Sequence, residues 1–422
     1  MKVHARVTML TAFGVAAVWL AAQTALLHGQ TPAATIYEGA RLINGAAGPA
    51  IDNAAFVVSG GKFTAVGRSG QVQAPAGAAR VSLAGKTVMP SIVDTHIHAA
   101  AENRAALVAQ LEGKAYWGVG AVLSLGTDPG DLAFQVRNEV IPNTARLRTA
   151  GRGITTPEPG RTDVPYWIKS EAEGRKAVQE LAARKVDIVK IWVDDRDGKY
   201  KKLSPDLYGP IIDEAHKNKL RVIAHIFTLD DAKGLLKAGI DAFAHSVRDK
   251  DVDDEFMAMM KSRPNVVFVP NLPDRGVAVD MSWLKDTVPA AELAKIQAGA
   301  TDRPPAQQAF GIQARNLARL NKAGVRITMG TDGGIVWSHH VEMADMVAAG
   351  MTPAQVIVAS TKAAAEFLRL ADEGTIEPGK SADFLVLDAN PLDDITNTRK
   401  ISSAYLRGAA VDRAALTARM MK

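Results

Sequence analysis

Between residues 92 and 329 the chain alternates short apolar runs with amphipathic stretches, and that rhythm leaves few folds open. Apolar runs fall at residues 92–96, 121–125, 146–150, 188–192, 222–225, 242–245, 266–269 and 326–329. Between them, stretches such as 170–184, 206–218 and 306–322 carry apolar residues three and four apart, and the last is followed by Gly324, a helix-stop signal. Eight strand-plus-helix units of this kind predict a parallel sheet closed into a TIM (β/α)8 barrel, whose active site lies at the carboxyl ends of the strands.

The flanks read differently. In residues 31–89, short strands are broken by turn residues such as Ser59-Gly60-Gly61-Lys62. After a last helix near 353–370, strands return at 384–387 and 404–407, with Glu377-Pro378-Gly379-Lys380 as turn chemistry. The expected organisation is therefore α/β: a barrel over 90–372 and a small composite β-sandwich domain built from both chain ends, 31–89 and 373–422. Residues 1–30 hold Lys2, Arg6, an apolar run from Val7 to Ala22 and small residues near Ala25, which predicts a secretory signal peptide and a periplasmic or secreted protein. An uncleaved membrane anchor is the alternative.

Formal net charge is +5 and becomes +3 without Lys2 and Arg6, with no basic block or interleaved aromatics, so nucleic acid is not an expected partner. A small-molecule substrate is expected, with no stable membrane insertion once the leader is gone; homo-oligomer formation is left open. The absence of Cys excludes a disulfide framework.

Reading only the ends of the eight apolar runs collects His96, His98, Lys190, His225, His245 and Asp332. Imidazoles and a carboxylate suit zinc or a similar borderline cation, whereas an oxygen-rich shell would suit magnesium. Lys190 does not fit as an ammonium beside cations. A carbamate formed with CO₂ would turn it into a two-oxygen anion able to span two metals ~3.5–4 Å apart. The expected cofactors are thus two divalent metal ions, zinc by preference, bridged by carboxylated Lys190. Water held between them would lose a proton near neutral pH, and Asp332 would be ligand and proton carrier in one.

These residues resemble the amidohydrolase superfamily, in its imidazolonepropionase-like and prolidase-like binuclear branch. The resemblance runs through Gly85-Lys86-Thr87-Val88-Met89-Pro90, Asp94-Thr95-His96-Ile97-His98, Val189-Lys190, Gly330-Thr331-Asp332 and the segment Gly374 to Phe384. It implies His96, His98 and Asp332 on the more buried metal, His225 and His245 on the more exposed one, and carboxylated Lys190 between them. Two positions depart from the pattern: Ser91 replaces the usual Gly, and Ile-Phe-Thr follows His225.

Candidate substrate contacts are His340, in a His-x-Glu with Glu342, and the strand-end cations Arg248 and Arg275, which could fork onto a carboxylate. His339 competes with His340, and each has a helix-cap reading; His216 reads as a solvated helix face. The loop 151–167 is long enough for a lid. The expected function is hydrolysis of amide bonds, peptide-like or cyclic. Lactone, ester or phosphotriester hydrolysis on the same metals is the alternative, a mononuclear deaminase is a third enzymatic option, and a non-catalytic binding protein on the same scaffold is the alternative of another class.

Overall fold

The computed structural model describes residues 34–99 and 101–421; the expected leader lies outside them. Each of the eight expected positions carries a strand: Ile92–Ile97, Val119–Ser124, Arg146–Thr149, Val189–Val193, Val222–Ile226, Ala242–Ala244, Val267–Val269 and Arg326–Ile327. Within their sheets they pair in parallel. The cause is two-faced burial: the central strands are buried at every position, so they read as continuous apolar runs rather than alternating ones.

Local signals set the helix ends. Glu171–Ala183 begins with a capping box in which Ser170 and Glu173 satisfy each other's backbone N–H groups. Leu229–Ala238 ends at Gly239, whose φ of 101° is open to glycine at no steric cost.

The closed-barrel expectation needs correction. The eight strands do not make one closed ladder: the first three form one sheet and the other five another. Short strands Ile154–Thr155 and Tyr166–Trp167 join the second sheet, and Ile154 pairs with Ile191 on the edge that the third strand would use in a continuous barrel. Isolated main-chain bonds rather than strand ladders cross the seams, among them Thr95 N–H to Met329 O and Asp187 N–H to Thr149 O, each 3.0 Å. The same two short strands tie down the segment expected as a free lid, with Ile154 fully buried.

Strands from both chain ends form a single eight-stranded sheet, in which Phe384–Leu387 lies antiparallel to Thr87–Pro90 and Thr35–Leu42 follows on the other side. A cluster of Tyr37, Phe56, Phe63 and Phe384 fills its apolar face, with Tyr37 stacked on Phe56 at 4.9 Å. This sheet aims the chain from Pro90 straight into Ile92–Ile97, and so sets where the His-x-His falls. No helix among the described residues is long and apolar enough to cross a membrane.

Candidate metal centre and active-site cavity

His96 is fully buried at the end of its strand, and its Nδ1 lies 2.8 Å from Asn271 Oδ1. His98, just beyond, has Nδ1 3.0 Å from Thr127 Oγ1 and Nε2 3.0 Å from Asp332 Oδ1. His96 Nε2 stands 3.0 Å from the same oxygen, yet out of line for a hydrogen bond and without any other partner. With the Nδ1 atoms held by the protein, both Nε2 atoms face one carboxylate. One donor atom from each of His96, His98 and Asp332 lies within 4.8 Å of the other two, a group that could hold a metal ion. Donors at ~2.0–2.1 Å from a tetrahedral zinc stand at comparable separations.

The backbone is shaped around this point. Asp332 (φ 56°) and His245 (φ 72°) both sit in the left-handed region, where Asp and His are tolerated better than most residues. Gly330 is required because a Cβ there would lie 2.7 Å from Val269 and 2.9 Å from His96. The Gly-Thr-Asp segment can thus press against the first strand, with Thr331 and Asp332 N–H groups donating to His96 O.

His245 Nε2 lies 3.4 Å from Asp332 Oδ2, buried and without a hydrogen bond. Its ring is 5.4 Å from His96 and 4.4 Å from His225, so the four histidines form a chain across the strand ends. His225 Nε2 is 2.9 Å from Asp194 Oδ2, with Arg248 at 2.9 Å and Arg196 at 3.2 Å. Lys190 is fully buried, and its Nζ has no hydrogen-bond partner among the described residues. Gly126 makes room for it: a Cβ at that position would stand 2.9 Å from Lys190 Cγ.

Burial governs the charge states. It pushes the His96 imidazole down to about 4, with Lys190 adding to the effect, and His225 and His245 well below their ordinary value. The rings are therefore neutral at pH 7, as metal ligation requires. Burial also brings Lys190 down to about 7, Asp332 opposing and Arg196 and Arg248 assisting. For Asp332 burial works upward, but contacts with His96, His245 and His98 outweigh it and hold the carboxyl well below the usual range.

The weaker candidates separate. His340 is corrected: it is buried, with Nδ1 3.0 Å from Thr398 Oγ1 and Nε2 3.1 Å from Trp117 O, so neither nitrogen is left for a substrate. Apolar packing against Trp117 and Trp283 explains its place. His339 likewise reaches Trp117 O at 2.9 Å. His216 sits on a half-exposed helix face, 2.9 Å from Asp241. Arg248 stands beside His225, stacked over Phe227. Arg275 lines a large cavity but is engaged by Asp345 at 2.8 Å.

Three contributors were not singled out from sequence. Asn271 Oδ1 accepts from His245 N–H at 3.2 Å and faces His96 Nδ1, so one amide orients two histidines. Asp194 faces His225, and Asp94 holds the Thr331 hydroxyl at 2.8 Å. Asn271 and Asp194 follow the ends of the seventh and fourth barrel strands, the position rule that found the others. Asp94 points inward from mid-strand, and no positional rule selects it.

Comparison with known proteins places this arrangement in a class. Residues 87–411 match the model of the amidohydrolase family, and the chain belongs to that family. It is an enzyme of the amidohydrolase type. Among its relatives, an imidazolonepropionase of Deinococcus radiodurans is 27% identical over 391 residues, covering 85% of this chain and 92% of the relative. Two solved structures share the fold: phenylurea hydrolase B (TM-score 0.73, 22% identity, 92% of this chain and 98% of that one) and a Xaa-Pro dipeptidase with bound methionine (TM-score 0.71, 21% identity, 90% and 99%).

Proposed function

We propose that the chain is a binuclear metal-dependent hydrolase that cleaves amide bonds, peptide-like or cyclic. The observation that carries this reading is the convergence of His96, His98 and Asp332, with His245 3.4 Å from Asp332, while buried Nε2 of His245 and Nζ of Lys190 have no hydrogen-bond partner among the described residues. Neutral imidazoles with one carboxylate fit zinc in particular. In this reading His96, His98 and Asp332 hold the more buried ion, His225 and His245 the more exposed one, and Lys190 both. Two such ions supply an activated water and polarise the scissile carbonyl.

The residues then have defined tasks. Lys190 Nζ, as the free amine, forms an N–C bond to CO₂ and releases a proton, becoming a carbamate with two anionic oxygens. Asp332 takes the proton of the attacking water on a carboxylate oxygen and returns it to the departing nitrogen. Asn271, accepting from Nδ1, keeps His96 in the tautomer that presents Nε2, and Asp194 orients the His225 ring from its Nε2 side. The imidazolonepropionase and dipeptidase names among the relatives agree with C–N cleavage. Residues 1–30, on their sequence, put the enzyme outside the cytoplasm, and 90–372 form its catalytic part.

Metal analysis of the purified chain, with a panel of dipeptides, N-acyl amino acids, cyclic amides, lactones and phosphotriesters, tests the reading. Two ions per chain and preferred amide turnover are expected. A single ion at saturation, or turnover confined to lactones or phosphotriesters, would overturn it.

A further inference from the structure

The segments after the seventh and eighth barrel strands, together with Thr396, Arg399 and Lys400 from the C-terminal flank, line an open cavity of about 1190 Å³. That exceeds the ~300–1,000 Å³ of ordinary ligand pockets. Its wall includes Leu272 and Thr331, and Thr331 N–H donates to His96 O at 3.0 Å, so this wall backs onto the His96–Asp332 cluster although none of the cluster's own side chains lines the cavity. Much of the remaining wall is apolar, led by Trp283 and Trp337, whose rings meet edge to face at 5.7 Å.

Three guanidinium groups line the cavity, and two are already neutralised. Arg275 pairs with Asp345 at 2.8 Å and Arg303 with Asp274 at 2.5 Å. Arg399 is different. It lies 4.5 Å over the Trp283 ring, and its buried Nε has no hydrogen-bond partner among the described residues. An unpaired buried donor is costly to keep, and a guanidinium fork matches a carboxylate. Asp394, Asp345 and Asp280 act on Arg399 through space, but none forms an ion pair with it among the described residues, so a ligand carboxylate would be its direct partner.

We infer that the substrate is an amide bearing a bulky apolar group and a carboxylate, the apolar part lying along Trp283 and Trp337 and the carboxylate on Arg399. This rests on the hydrolase reading above and narrows it, away from small dipeptides and toward amides of large hydrophobic acids. The volume of the cavity accommodates the size, and Arg399 matches the charge.

Tryptophan fluorescence of the full chain, titrated with 4-phenylbutanoate and with 4-phenylbutanol, tests the inference without turnover. The acid is expected to bind about tenfold or more tightly than the alcohol, as for a charge-assisted fork. Arg399→Met should erase that preference. Val279→Glu, which places an anion in the same wall, should abolish acid binding and spare the alcohol. In kinetics, Arg399→Met should raise KM for N-benzoylphenylalanine with kcat unchanged, and leave its neutral amide unaffected. Equal binding of acid and alcohol, or a preference that survives both substitutions, overturns the inference. Acid binding without turnover of any amide keeps the cavity's ligand class and removes the hydrolase reading instead.

Discussion

Lys114 Nζ lies 2.9 Å from Asp94 Oδ2, with both side chains fully enclosed. The same carboxylate accepts from the Thr331 hydroxyl at 2.8 Å, Thr331 N–H at 3.1 Å and His96 N–H at 3.3 Å. One buried ion pair therefore fastens the segment carrying Asp332 to the strand carrying His96. Asp94→Asn should lower stability by about 3–5 kcal/mol, because Lys114 is left charged and buried. Metal affinity should fall ~10–100-fold, as for outer residues that orient ligands. Pairing Asp94→Asn with Lys114→Met should restore most of the melting temperature but not the affinity. Recovery of both in a chelator competition would reduce the pair to a packing role.

Lys190→Ala should reduce bound metal and activity together, with partial rescue by acetate or propionate in place of the carbamate. Metal content measured by mass spectrometry is the deciding quantity. Full loading with two ions per chain would exclude a bridging role for Lys190.

Asp332→Asn should lower turnover roughly 10²–10⁴-fold at saturating metal, the range for a residue that transfers a proton. Because Oδ1 stands 3.0 Å from both His96 and His98, metal affinity should fall as well. Near-normal kcat in the fully loaded variant would remove its proton-carrying role.

At the fourth strand, Asp194→Asn should weaken the hold on His225, whose Nε2 it faces at 2.9 Å. The expected result is ~10–100-fold weaker binding of the second equivalent of metal, with the first equivalent unchanged. Loss of both equivalents to the same extent would argue for a general structural effect.

Far from the site, Arg146 faces three carboxylates: Glu373 at 2.8 Å, Asp372 at 3.0 Å and Asp383 at 4.0 Å. Burial and the neighbouring Asp383 raise the Glu373 carboxyl to about 8. Since this lies above its unfolded value, the stability linked to protonated Glu373 is fully present below about pH 4.5 and is lost as pH rises through 8. Glu373→Gln should therefore flatten the fall in melting temperature between pH 5 and 9. Parallel pH curves for the two proteins would contradict the assignment.

The sequence by itself determined which polar residues stand on or just after the barrel strands, although Lys190 falls at the second position of Val189–Val193 rather than at its carboxyl end. In a parallel β/α array, strand order, two-faced burial and strand-end location are all written in local pattern, so His96, His98, Lys190, His225, His245 and Asp332 could be read in order. Tertiary structure alone decided how far they converge and what holds them. The contacts of Asp94 with Thr331 join residues 237 positions apart, those of His96 with Asn271 join residues 175 apart, and no local periodicity encodes such pairs. Packing likewise withdrew His340 behind Trp117, engaged Arg275 with Asp345, and split the strands into two sheets where Ile154 took the edge of Val189–Val193. Each outcome depends on which side chain reaches a partner first in a crowded interior, a matter of three-dimensional geometry rather than residue order.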